Sequence, residues 1–235
     1  MIRLIQREIE RLKKQILELG AMVEERVRMA VKAVEENDQE LSAVVVRGDR
    51  EIDEREVDLE EECLKILALY QPVANDLRFI IAVLKINNDL ERLGDLAVNI
   101  AERAACVAEF EKGEIVTDLR VMADKVQTML RMSLDSLVNI DPALARDVCA
   151  MDDEVDDIHA NLFIKFEDAV RRRPDRLHQL THLMGVSRNL ERMADHTTNI
   201  AEDVIYMSVG EIVRHRAEGF HPEHAQPGAC DENGQ

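Results

Sequence analysis

The chain has no tryptophan, two tyrosines, five phenylalanines, nine glycines and five prolines in 235 residues. This scarcity, with abundant Ala, Leu, Glu and Arg, predicts helix nearly throughout. No window approaches the roughly 18 apolar residues of a membrane span. The densest run, Phe79 to Leu84, ends at Lys85, so a soluble chain is expected. Charges already crowd the first eleven residues, which leaves no signal-peptide h-region and predicts a cytoplasmic protein. Cysteine is sparse: Cys63, Cys106, Cys149 and Cys230 show no C-x-x-C spacing, and Cys63 and Cys149 lie within apolar helical patterns. They read as reduced core thiols rather than redox or zinc ligands. Basic charge is also short, with 30 Lys plus Arg against 48 Asp plus Glu and a net charge of -18. Such a surface repels phosphate backbones and anionic lipid, which excludes nucleic acid and direct membrane docking and favours cations. The nucleophile and nucleotide signatures G-x-S-x-G, the P-loop, the Rossmann fingerprint and His-Glu-x-x-His are absent as well.

What is present is a long helical periodicity. Ile2, Ile5, Ile9, Leu12, Ile16, Leu19 and Val23 recur at alternating steps of three and four, the seam of a helix packed in a bundle. The pattern reaches about residue 36, where Asn37 supplies a stop and Asp38 an N-cap. A second helix carries Leu41, Val45, Gly48, Ile52, Leu59, Cys63, Ile66 and Tyr70 and ends at Gln71-Pro72. A third runs from about Asn75 through Phe79, Val83, Ile86, Leu90, Leu93, Ala97, Ile100, Ala104 and Val107 as one unbroken seam closed by Gly113.

The second half repeats the first. Residues 90 to 102 align with 190 to 202, with eight identities in thirteen at an offset of 100; Asp49 to Asp53 match Asp152 to Asp156 at an offset of 103. The difference of three falls in the turn between second and third helices. The expected fold is all-α, two pseudo-symmetric three-helix bundles in tandem, with helix boundaries near 36, 71, 113, 140 and 173. The units span 1–113 and 114–214, and 215–235 form a disordered acidic tail.

Four acids per half stand out from the solvated surface. Asp49 and Asp53, and Glu91 and Asp95, are i, i+4 pairs, so each projects two like charges from one helix face. No Lys or Arg at i±4 within these stripes neutralises them. Asp49 and Asp95, and Asp53 and Glu91, are each equidistant from residue 72, the proline of the turn, and in an antiparallel hairpin such residues stand at one height. In the second half Asp152 and Asp195, and Asp156 and Glu191, are centred between Arg173 and Pro174. Four converging carboxylates are costly to hold together without cations, and all-oxygen ligation favours Mg, Mn, Ca or Fe over a structural zinc. Asn99 and Asn199, one turn on, could add carbonyl oxygens. The expected metal residues are thus Asp49, Asp53, Glu91, Asp95 and Asn99 in one half and Asp152, Asp156, Glu191, Asp195 and Asn199 in the other. Divalent or ferric ions, among Fe, Mn, Mg or Zn, are the expected occupants.

Histidine gives weaker signals. His178 and His182 are i, i+4, but Arg78 and Ala82 replace them in the first half. His196 follows Asp195 and is placed to join a carboxylate cluster, although Leu96 in its place argues that it is dispensable. His221 and His224 fall in the tail.

The segments Gln71-Pro72-Val73-Ala74-Asn75-Asp76-Leu77-Arg78, Asp89 to Asp95 and Asn189 to Asp195, with Gly48 to Asp53, resemble the signature stretches of the PhoU family over about residues 10 to 212. The resemblance implies two three-helix bundles, multinuclear metal clusters on E/D-x-x-x-D motifs and frequent homodimers. It further implies a cytoplasmic regulator, not an enzyme, that restrains phosphate uptake and phosphate-starvation signalling. Its implied partners are the phosphate ABC transporter ATPase and a membrane sensor kinase, so that the membrane is met only through partner proteins. Asp76-Leu77-Arg78 is a candidate partner contact, beside the plainer reading of an Asp76 cap. Without a phosphate cradle, any response to phosphate is expected through partners or through anions bridging the metals.

A metal-dependent helical enzyme is the rival. Asp152-Asp153-Glu154-Val155-Asp156 is D-D-x-x-D, the magnesium-diphosphate motif of isoprenoid synthases. Those enzymes commonly use aromatic rings to stabilise carbocations, and here rings are few. The matching Asp49-Arg50-Glu51-Ile52-Asp53 lacks the doubled acid, so the motif reads better as half of a repeat. A ferritin-like di-iron site needs Glu-x-x-His pairs, and no His follows a cluster Glu at i+3.

Overall fold

The computed structural model describes residues 2–107 and 114–209, and all of the long elements are helices. They are α1 (Ile2–Glu36), α2 (Gln39–Tyr70), α3 (Ala74–Ala101), the one-turn α4 (Ala104–Val107), α5 (Glu114–Asn139), α6 (Pro142–Arg172) and α7 (Leu177–Val209); a 3-10 turn, Pro174–Arg176, precedes α7. Helices α1, α2 and α3 pack mutually, as do α5, α6 and α7, and α3 lies against α7 and α1 against α5. This is the expected pair of three-helix bundles. The division placed at 113/114 borders the undescribed residues 108–113, and the tail lies outside the described residues.

The seams bury as their periodicity requires. On α1, Leu12, Ile16, Leu19, Val23 and Val27 are buried, and on α2 the seam is Val45, Ile52, Leu59, Cys63 and Ile66. Each large aliphatic side chain contributes about 1.5–3 kcal/mol by leaving water. The apolar cluster is continuous from Ile5 to Met207, so the two bundles share one core. The thiols fit this packing: burial pushes Cys63 to about 12 and Cys149 to about 11, which keeps both protonated.

The helix ends follow local chemistry. Asn37 adopts a left-handed φ of 58°, and the Asp38 carboxylate accepts from the Leu41 amide at 2.9 Å. At the equivalent turn Ile140 takes a φ of 49°, a strained value for a β-branched residue, and Asp141 accepts from the amides of Ala143 and Leu144. Asp76 does not cap α3, because the N-cap position is Val73 without a side-chain bond, and Asp76 instead accepts from Gln6 at 3.4 Å.

The third seam is not one helix. It breaks at Glu102-Arg103, where the Ser42 hydroxyl donates to the Ala101 carbonyl at 2.7 Å inside the core. That carbonyl would otherwise accept from the amide four residues on. The chain tightens, with Arg103 N bonded to Ile100 O and Cys106 N to Arg103 O, before α4 resumes. Gly113, the expected terminus, lies outside the described residues.

Candidate metal centres on the two hairpins

Each acidic set is built by one hairpin. Helices α2 and α3 carry Asp49, Asp53, Glu91 and Asp95, while α6 and α7 carry Asp152, Asp156, Glu191 and Asp195. Small residues set the helix separation: a Cβ on Gly94 would lie 3.2 Å from the Ile52 side chain and 3.7 Å from Asp49 Oδ1. Ala194 fills the equivalent place, fully buried.

The carboxylates act on one another across each hairpin. Asp49 is raised above the ordinary carboxylate range by burial, then by Asp53 and Asp95. Glu91 is raised by burial and then by Asp95, with Asp53 and Glu56 adding to it. In the second set burial, then Asp195 and Asp156, push Asp152 to about 6, with the Thr198 hydroxyl pulling the other way. Glu191 and Asp195 are raised by burial first and then by their acidic neighbours. Each hairpin thus brings acids of its two helices within electrostatic reach of one another, Asp49 with Asp95 and Glu91 with Asp53 in the first, Asp152 with Asp195 and Glu191 with Asp156 in the second. Asp153, which completes the D-D-x-x-D string, is exposed.

The donor set suits a hard cation. Asp152 Oδ1 is a buried acceptor atom without a hydrogen-bond partner, and such an atom costs free energy until something positive meets it; Glu91 Oε2 likewise has no hydrogen bond but is met by the Arg92 guanidinium at 3.4 Å. The oxygens are nonetheless spread. Among the described residues, the one group of three ligand atoms within 4.8 Å of one another is Cys106, His178 and His182.

Cations on the protein enter differently in the two sets. Arg92 lies 3.4 Å from both its sequence neighbour Glu91 and, at i, i+3, Asp95, a neutralisation that counting only i±4 positions overlooks. Arg26 of α1 also reaches the first set. A Cβ on Gly48 would sit 2.1 Å from its guanidinium carbon, so the absence of a side chain there opens the path, and its charge lowers Asp49. Met151 occupies the position equivalent to Gly48.

The second set opens into a cleft of about 780 Å³ lined by Asp152, Asp195, Thr198, Asn199 and Glu202 together with Lys85, Asn88 and Asp89 of α3. Asn199 thus stands with the carboxylates, whereas Asn99 is exposed on α3. The histidine placed beside the second set by sequence, His196, hydrogen-bonds across the bundle boundary to Asp89 Oδ1 at 2.8 Å. His159 of α6 also approaches the second set. It follows Asp156 by three residues, lowers Glu191, and shares a 2.7 Å hydrogen bond with Ser187. Glu56 and Asn87 form the equivalent pair, joined at 3.0 Å. The Asp-x-x-His spacing was the available signal.

Both halves match one family model, that of the PhoU domain, over residues 16–104 and 119–204. A PhoU homologue of the phosphate-specific transport system from Aquifex aeolicus is 40% identical over 210 residues, covering 89% of this chain and 95% of the relative. One from Clostridium acetobutylicum is 33% identical over 212 residues, with 90% and 97% covered. The crystal structure of PhoU from Pseudomonas aeruginosa superposes with a TM-score of 0.85 at 34% identity, covering 88% of this chain and 99% of that one. That of the phosphate transport system regulatory protein PhoU from Streptococcus pneumoniae gives 0.83 at 27%, with 89% and 99% covered. With the duplicated hairpins matched in sequence and the whole bundle pair matched in space, the chain belongs to the PhoU family.

Proposed function

We propose that this chain is a non-enzymatic, metal-binding regulator that restrains phosphate uptake and phosphate-starvation signalling from the cytoplasm. It does so by contacting the phosphate ABC transporter ATPase and its membrane sensor kinase, as a homodimer. The transport role is supported by the names of its relatives, which are accessory and regulatory proteins of phosphate transport. The metal role is supported by one observation above the others: in both halves acids of the two helices act on one another across the hairpin, and burial with that repulsion holds Asp49 and Glu91 in the first set, and Asp152, Glu191 and Asp195 in the second, above their ordinary range.

Asp49, Asp53, Glu91 and Asp95 would hold ions in the first set, and Asp152, Asp156, Glu191 and Asp195 in the second. Asn199 in the cleft, and Asn99 more peripherally, would supply neutral oxygens. The bound ions, Fe, Mn, Mg or Zn, would supply positive charge that relieves the repulsion across each hairpin and offers an anion a point of attachment. The chain's own part is to keep α2 against α3 and α6 against α7 so that the acids remain registered.

A reporter of phosphate starvation tests this in cells whose own gene for the protein has been deleted. Wild type should restore repression at high phosphate, and the double variant Asp95→Ala, Asp195→Ala should not. Full repression by the double variant contradicts the metal dependence, and failure of the wild type contradicts the regulatory role.

A further inference from the structure

A second kind of ligand cluster lies where the two bundles join. Helix α4, which follows the break in α3, packs on α7. Arg103 just before it lies over Gly185, where a Cβ would meet the guanidinium at 2.5 Å. Three residues further on, Cys106 meets His182 and His178, the next turns back along α7. One ligand atom from each of the three lies within 4.8 Å of the others. The two imidazoles stand edge to face with centroids 4.6 Å apart, and His182 Nδ1 is a buried polar atom without a hydrogen-bond partner.

We propose that Cys106, His178 and His182 form a mononuclear site for a zinc-class transition-metal ion, separate from the carboxylate sets, and that its occupancy clamps α4 to the start of α7. One thiolate and two imidazoles are borderline-to-soft donors, which prefer zinc or cobalt to magnesium or calcium. Tetrahedral zinc holds such atoms about 3.5 Å apart, so small rotamer adjustments on α4 and α7 close the set. Three protein ligands leave the fourth position to water. Binding releases the Cys106 thiol proton to solvent. The resulting thiolate offsets one of the two positive charges the ion brings, beside Arg103, whose guanidinium lies near His182. Burial, His178 and Arg103 hold His182 below its ordinary value, which favours the neutral, ligating imidazole.

The site is not part of the duplication. Arg78 and Ala82 stand at the positions equivalent to the two histidines, so a single site is expected per chain, unlike the paired acidic sets. Its two sides come from different bundles, which makes the metal a cross-link between them rather than within one hairpin.

Cobalt(II) is the probe, because only a sulfur ligand gives a thiolate-to-cobalt charge-transfer band. The full chain, stripped with chelator under reducing conditions, is titrated with cobalt. The wild type should develop the band and saturate at about one equivalent. Cys106→Ser should lose it with unchanged helical circular dichroism, and His182→Gln should weaken cobalt binding by about tenfold or more. Cys230→Ser and the double variant Asp95→Ala, Asp195→Ala should keep the band. No band in the wild type, or a band that survives in Cys106→Ser, overturns the site. A measurement on the unmodified chain covers the case in which Cys106→Ser misfolds: zinc, but not magnesium, should slow alkylation of Cys106 resolved by peptide mass, and an unchanged rate contradicts the proposal.

Discussion

His196 Nδ1 lies 2.8 Å from Asp89 Oδ1, so a histidine adjacent in sequence to the second acidic set spends its hydrogen bond on the opposite bundle. The Asp89 side chain is only 12% exposed, and the contact joins α7 to α3. His196→Leu, which installs the residue of the equivalent position, should cost about 1–3 kcal/mol by leaving a largely buried carboxylate without its partner. Metal content should be unaltered. Urea midpoints and elemental analysis of the same preparation measure both.

Asp152 gives a pH dependence with a definite sign. Its folded value of about 6 exceeds the ordinary 3.8. Between those values the folded chain binds more protons than the unfolded one, so this group's favourable contribution is complete below the lower value and lost as pH rises through the upper. Metal-free protein should therefore lose stability on going from about pH 4 to about pH 7 through this group. Asp152→Asn should remove that loss and stabilise the metal-free fold near neutrality by about 1 kcal/mol, the full shift being discounted for partial exposure. Denaturant midpoints of chelated protein across that range decide the sign.

Arg26 predicts that the two acidic sets differ. It reaches Asp49 past Gly48, and the second hairpin has Met151 at the equivalent place. Arg26→Gln should strengthen manganese binding at the first set by roughly fivefold, the effect of removing about 1 kcal/mol of charge repulsion in a solvated site. Gly48→Ala should act in the same direction, because its Cβ displaces the guanidinium. Calorimetric titration in which only one of two binding steps changes would bear this out; equal changes in both, or none, would not.

Ser42→Ala should remove the 2.7 Å bond to the Ala101 carbonyl and destabilise the chain by about 1 kcal/mol. Thermal unfolding at fixed metal content measures it. The consequence for α4 is larger than the energy suggests, since that bond coincides with the break that sets α4 off from α3.

The helices and the paired acids were legible because both depend on periodicity and on distance from a turn. Ile52 and Leu90 announce buried seams, and Asp49 with Asp95 follow from counting outward from Pro72. What escaped the sequence depends on contacts with no local spacing. The break at Glu102 needs a hydroxyl from another helix, Ser42. His196 turns toward Asp89 because α3 packs on α7, which no repeat arithmetic specifies. Cys106 and His182 are 76 positions apart in the sequence, and only the crossing of α4 on α7 brings them together.

The most direct test of the central claim is the metal content of purified protein, measured by elemental analysis after exposure to iron and manganese and exhaustive dialysis. The wild type should retain ions at two sets of sites, and Asp95→Ala with Asp195→Ala, folded by circular dichroism, should retain none there. Unchanged metal content in that double variant would contradict the assignment of these carboxylates as metal ligands.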